Sequence, residues 1–180
     1  MPRDLKMKVS RISISKNVPM KLVTPIIDES SGEMQSVWIQ FHRDFEPDLD
    51  HEFIKKSKIL RLEGFVDYPV LPFLQILHNQ TVEFADILPS FRFHISDDFI
   101  VLIRSWVETN KPLGTCFTFI IGHPEEYCIQ VMNLIRERIE GVVLGDKCVD
   151  IPMSNSSILR VSYASSDQER VIKMDVVSLD

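Results

Sequence analysis

The sequence predicts a fold of α/β or α+β type: strands and helices in alternation, loosely leucine-rich-repeat-like, closed by a C-terminal antiparallel β meander. Three observations predict it. Short runs in the first two thirds alternate apolar and polar residues, as half-buried strands do. Two later segments carry apolar residues at helical spacing behind paired carboxylates. After Gly141 three strand-like pieces follow, separated by polar turns.

The early strands are Val9 to Ser15, Val37 to Phe41, Ile59 to Glu63 and Thr81 to Asp86. Their central residues Ile14, Ile39, Leu62 and Phe84 stand 25, 23 and 22 residues apart, and Phe119 of a fifth strand, Thr115 to Ile121, follows after 35. One strand per 20 to 29 residues is the spacing of leucine-rich-repeat-like stacks, although their strict Leu/Asn consensus is missing. Val70 to His78 supplies a short apolar helical segment. Ser96 is placed to cap a longer helix, Asp97 and Asp98 put negative charge at its positive end, and Phe99, Ile100, Leu102, Ile103, Trp106 and Val107 form its apolar stripe. Asn110 and Pro112 end it.

A second helix opens at Pro124 with Glu125 and Glu126 behind it, presents Cys128, Val131, Met132, Ile135 and Ile139 to the core, and stops at Gly141. The closing strands are Cys148 to Met153, Ile158 to Ala164 and Val171 to Val177. No Gly/Pro/Ser-rich linker divides the chain, so a single interaction-type domain over 1–180 is expected, with strand/helix alternation over 1–140 and the meander over 141–180.

Composition narrows the function. Hydrophobic residues at 44% and charged residues at 26% are ordinary for a soluble globular protein. A net charge of −6 gives no electrostatic footprint for nucleic acid, and the basic clusters at Arg3, Lys6, Lys8 and Arg11 and at Lys55-Lys56-Ser57-Lys58 read as solvated faces. No stretch has the apolar length of a membrane helix and no secretory leader is seen, so a cytoplasmic or nuclear location is expected and the sequons at Asn79 and Asn155 carry no weight. Cys116, Cys128 and Cys148 lack C-x-x-C spacing and are expected to be reduced and mostly buried.

No catalytic, cofactor-binding or metal-binding residue is predicted. The glycines form no phosphate-binding loop, and no nucleophile sits on a G-x-S-x-G turn. His123 near Glu125, Glu126, Cys116 and Cys128 reads as a surface residue or partial cap. The acidic loop Asp44, Glu46, Asp48, Asp50 and Glu52, flanked by His42 and His51, lacks the glycine and terminal glutamate of a calcium loop and reads as solvated, or as a surface for a basic partner. Trp106 belongs to a core stripe; Trp38, out of phase with Ile39 and Phe41, can face solvent.

The phrase ISDDFIVLIRSWVETNKPLGTCFTF, from Ile95 to Phe119, resembles the domain that follows the F-box in the nematode-expanded families of F-box proteins. The resemblance is carried by Trp106, Val107, Glu108, Lys111, Leu113, Gly114, Thr115, Phe117 and Phe119, with Ile151 to Ser165 and Val171 to Val177 similar to the same family's closing strands. It implies a protein-protein interaction module that recruits substrates to a cullin-type ubiquitin ligase, and no catalytic residues. No F-box is read at the N-terminus, so ubiquitin-ligase components are expected partners only if an F-box is supplied elsewhere; the protein target is otherwise open. Candidate contact positions are Trp38, His42, Asp44, Asp48, Tyr68 and Tyr127. A small enzyme with scattered site residues, or a fragment of a structural repeat, are the competing readings.

Overall fold

The computed structural model describes residues 6–14, 20–28, 34–41, 52–64, 71–87, 95–121, 124–153, 156–166 and 169–179. In chain order the elements are β1 (Arg11–Ile14), α1 (Met20–Val23) running into a 3-10 turn (Thr24–Ile26), β2 (Ser36–Phe41), α2 (Glu52–Lys55), β3 (Ile59–Gly64), α3 (Leu71–Ile76) and β4 (Thr81–Ile87). Then come α4 (Ile95–Thr109), β5 (Cys116–Ile121), α5 (Glu125–Arg138), β6 (Val143–Gly145), β7 (Cys148–Pro152), β8 (Ser157–Ser165) and β9 (Arg170–Ser178). The strands form one mixed sheet in the order β1-β2-β3-β4-β5-β9-β8-β7-β6.

The first five strands are parallel and each lies beside its predecessor. Crossovers between parallel strands are right-handed almost without exception, so a sheet that grows in one direction sends every connection over the same face. The packing agrees. Ile54 of α2, Leu74 of α3, Phe99, Leu102, Ile103 and Trp106 of α4 and Val131 and Ile135 of α5 join one buried cluster with the strand residues Val37, Ile39, Leu60, Leu62, Val82, Phe117, Phe119, Val161 and Met174. Trp106 is 0% exposed and meets the Phe117 ring edge-on with centroids 4.7 Å apart; Phe99 meets Phe119 the same way at 4.8 Å.

The central residues picked from the strand spacing are register partners. Ile14 pairs with Ile39, Ile39 with Leu62, Leu62 with Phe84 and Phe84 with Phe119, a buried row across the parallel half. Phe84 and Phe119 stack with centroids 5.1 Å apart. The meander joins this ladder through antiparallel pairing of β5 with β9, in which Phe119 faces Ile172.

Several boundaries differ from the sequence reading. Pro124 is the N-cap of α5, with extended ψ of 159°, and α5 starts at Glu125. The helix α4 begins at Ile95, which puts Ser96 inside its first turn. The stop expected at Asn110 holds, since α4 ends at Thr109 and Asn110 has φ of +47°, whereas α5 ends at Arg138, short of Gly141, whose φ is +73°. The short helices α1 and α2 and the strand β6 escape the periodicity argument because three or four residues do not complete a repeat of apolar positions. Of the cysteines only Cys128 is buried, since Cys116 and Cys148 sit on the other face of the sheet and are partly exposed; all three are free thiols.

A buried polar clasp ties the third unit of the ladder to the second. The Asn79 side chain, 2% exposed, donates from Nδ2 to Ile54 O and Ser57 O, both at 2.7 Å, and to Ser57 Oγ at 3.0 Å. Ser57 Oγ in turn donates to Ile54 O at 3.0 Å. Lys111, 8% exposed at the end of α4, donates from Nζ to Leu77 O at 2.7 Å, which fastens α4 to the segment after α3.

Candidate functional site

Because side chains alternate along a strand, burying one face of the sheet under the helices leaves the other set pointing the opposite way. Among the described residues no helix packs on that second face. Parallel sheets are usually covered by helices on both sides and read as continuous apolar runs; these strands alternate, in keeping with helices on one side only among the described residues. Two register rows show its chemistry. One runs Ser13, Trp38, Arg61, Glu83 and Thr118 in the parallel half and continues through Lys173, Ser162 and Cys148 in the meander. The row beside it runs Arg11, Ser36, Ile59, Thr81 and Cys116, then Asp175, Arg160 and Asp150.

Trp38 is 37% exposed and Ile59 is 42% exposed, which sets two large apolar groups among charged neighbours. The Arg61 guanidinium lies over the Trp38 ring, 5.5 Å from its centroid, a contact worth about 0.5–1 kcal/mol at such a site. Further along, Arg160 holds Asp150 with both nitrogens, Nε to Oδ1 at 2.7 Å and Nη2 to Oδ2 at 2.8 Å, and this hydrogen bonding and charge push the Arg160 pKa up. Lys173 pairs with Asp175, and that pairing raises the Lys173 pKa. With nine strands about 4.8 Å apart the face is roughly 38 Å wide, and at roughly 20 Å along the strands its area is on the order of 700 Å². That is close to the ~800 Å² one partner contributes to a standard protein interface.

Two of the three thiols are held in their protonated form. Burial, then a hydrogen bond with Asp175, pushes the Cys116 thiol up to about 11, and burial also raises that of Cys128. A thiol held protonated at neutral pH is a poor nucleophile. Among the described residues no group of three or more His, Cys, Asp and Glu is arranged to hold a metal ion.

Of the candidate contact positions, Trp38 lies on the open face. Tyr127 lies on the opposite side, half-buried on α5 against the core, where burial first and the neighbouring Cys128 second raise its pKa. The two are therefore not brought together. His42, Asp44, Asp48 and Tyr68 lie outside the described residues, as do His123 and most of the acidic loop. Glu52, the last member of that loop, begins α2 and pairs with Lys56 at 2.7 Å. Glu125 at the start of α5 pairs with Lys147 at 3.2 Å. The sequon asparagine Asn79 is buried with its amide engaged, so it is closed to modification in the folded chain. Sequence reasoning missed Arg61 as the partner of Trp38, and Glu83, Lys173 and Arg160 as further members of the same face; the signal was their polar phase within each strand, which needs the strand order to become a surface.

The family profile described as a domain of unknown function (DUF3557) matches residues 1–123. The chain belongs to the DUF3557 family. The match takes in β1 to β5 and the helices between them, so the DUF3557 region is the parallel ladder, and α5 with the meander lies beyond it. No curated protein and no solved structure matches the chain. No helix among the described residues is long and apolar enough to cross a membrane.

Proposed function

We propose that this DUF3557 chain is a protein-binding module of the cytoplasm or nucleus, similar to the substrate-recruiting domain of F-box proteins in cullin-type ubiquitin ligases. Its target docks on the open face of the sheet. The observation that carries this reading is the two-sided ladder: helices on one face, and on the other Trp38 and Ile59 with Arg61 in the parallel half and the ion pairs Arg160–Asp150 and Lys173–Asp175 in the meander. Partly exposed aromatic and arginine side chains are the groups that most often anchor protein interfaces.

The ladder supports a leucine-rich-repeat-like reading of the fold. One strand per unit, sequential parallel pairing and a buried asparagine that reaches back to carbonyls of the preceding unit are the working parts of such stacks, whose sheet face serves as an extended binding surface. The phrase from Ile95 to Phe119 falls inside the family region, where it forms α4, the Gly114 turn and β5.

Affinity purification of the tagged chain tests the proposal, with a Trp38→Ala/Arg61→Glu variant run beside the unaltered protein. A target recovered with the unaltered chain and lost from the variant is expected, together with adaptor and cullin if the ligase connection holds. Recovery of neither adaptor nor cullin leaves target binding alone, and equal recovery of the target by both proteins removes the open face as the docking site.

A further inference from the structure

At the end of the sheet farthest from β1, β6 has a strand beside it on one side only, so the backbone N–H and C=O groups that alternate away from β7 meet no strand partner among the described residues. Its two large apolar side chains are bare, Val143 at 62% exposure and Leu144 at 58%. Leu144 pairs with Val149 of the buried cluster and Val143 with Asp150 of the open face, so one lies on each side of the sheet. Edges that stay unpaired are usually guarded by charged residues or proline, and Val143-Leu144-Gly145 holds neither.

A groove of about 320 Å³ adjoins the start of this edge, between α4, the end of α5 and β7. Ile103, Ile139 and Ile151 supply apolar surface to it, and Glu140 in its wall stands three residues before Val143. The arginines of the wall are engaged by the protein itself: Arg138 pairs with Asp97, and Arg104 donates to Arg138 O at 3.2 Å. The carboxylates of the wall, Glu108 and Glu140, are exposed and form no ion pair among the described residues. Asp146, at the other end of β6, is likewise left without one, because Lys147 reaches to Glu125 at 3.2 Å.

The geometry points to a docking edge for an extended segment of a partner protein in which two adjacent aliphatic residues stand between lysines or arginines. The segment adds beside β6 as a further strand: its backbone meets the open groups of β6, and its consecutive side chains fall on opposite faces, one beside Leu144 and one beside Val143. A basic residue at one end meets Asp146. The groove suits the basic residue at the other end, whose methylenes cover Ile103, Ile139 and Ile151 while its charged head reaches Glu108 and Glu140. Charge also selects this occupant over a second copy of the chain, since β6 against β6 would line one seam with Glu140 and Asp146 of both copies, and like charges facing across strands are destabilising. The inference does not rest on the function proposed for the open face, whose Trp38 and Arg61 lie on β2 and β3.

Fluorescence anisotropy on the full chain tests the inference with a short fluorescein-labelled peptide of two valines between lysines. Expected is saturable binding that weakens roughly tenfold for the E108Q/E140Q/D146N variant and roughly tenfold for Leu144→Lys, which sets a charge on the edge. All four positions are exposed, and circular dichroism checks that both variants keep the fold. A peptide with proline in place of one valine lacks a backbone donor and is expected to bind roughly tenfold more weakly. Trp38→Ala/Arg61→Glu is expected to leave peptide binding unchanged, which keeps this result distinct from the open-face test. The inference is overturned by no binding at low salt, by equal binding of the proline peptide, or by binding to either edge variant as tight as to the unaltered chain. Dimerisation seen in sedimentation and lost in Leu144→Lys, with no peptide bound, overturns it in favour of a second copy at this edge.

Discussion

Replacing Asn79 with alanine removes a buried amide whose two hydrogens are shared among Ile54 O, Ser57 O and Ser57 Oγ at 2.7, 2.7 and 3.0 Å. The consequences for the two carbonyls differ. Ile54 O keeps the hydrogen bond from Ser57 Oγ at 3.0 Å, whereas Ser57 O loses the amide donor that satisfies it in this buried setting. One orphaned buried carbonyl costs about 1–3 kcal/mol, and a net hydrogen bond about 0.5–1.5 kcal/mol more. The expected loss for Asn79→Ala is therefore about 1.5–4.5 kcal/mol, which for a chain of this size lowers the thermal midpoint by roughly 3–18 °C. Urea unfolding followed by circular dichroism measures it, with an unchanged m value showing that the same structure unfolds. Asn79→Asp, of nearly equal shape, is expected to cost more, because it sets a carboxylate against two carbonyl oxygens. A loss below about 0.5 kcal/mol for Asn79→Ala would refute the clasp as a determinant of how the second and third units join.

Two further substitutions probe the ladder elsewhere. Burial holds the Lys111 ammonium below the usual lysine pKa, so in the pH interval between its folded and unfolded values the unfolded chain binds more protons and stability rises with pH. The stability of the unaltered chain relative to Lys111→Met is thus expected to increase from neutral pH toward the ordinary lysine range, and a pH-independent difference in denaturation midpoints contradicts this. Gly114 has φ of +82° and a built-in methyl would meet Gln80 Nε2 at an ordinary 3.5 Å, so Gly114→Ala is limited by backbone conformation alone. It is expected to cost about 1–2 kcal/mol by calorimetry, and a neutral effect shows that the turn between α4 and β5 has another conformation.

Much of this architecture is legible in the sequence because burial on one side imposes period two on the strands and a stripe on α4 and α5. Ile14, Ile39, Leu62, Phe84 and Phe119 come out as the inward row for that reason, and Trp106 as a core residue from its place in the α4 stripe. What period two does not contain is which strand lies beside which. Arg61 and Glu83 are two outward polar residues in separate segments until the register sets Arg61 between Trp38 and Glu83. The union of β5 with β9 is likewise non-local, since it joins residues across the whole of α5 and the meander. Asn79 and Ser57 show a different limit: polar residues at turns are ordinarily solvated, and only the overlap of successive units buries this pair.

The open face is tested most directly by the fluorescence of its own tryptophan. The chain has two, Trp38 at 37% exposure on that face and Trp106 at 0% in the core, so collisional quenching by acrylamide separates them. The expected result is a quenchable fraction that disappears in Trp38→Phe and that is shielded in the unaltered protein when the purified target is added to saturation. A Trp38 already shielded in the free protein, or one quenched equally with the target bound, would contradict the account.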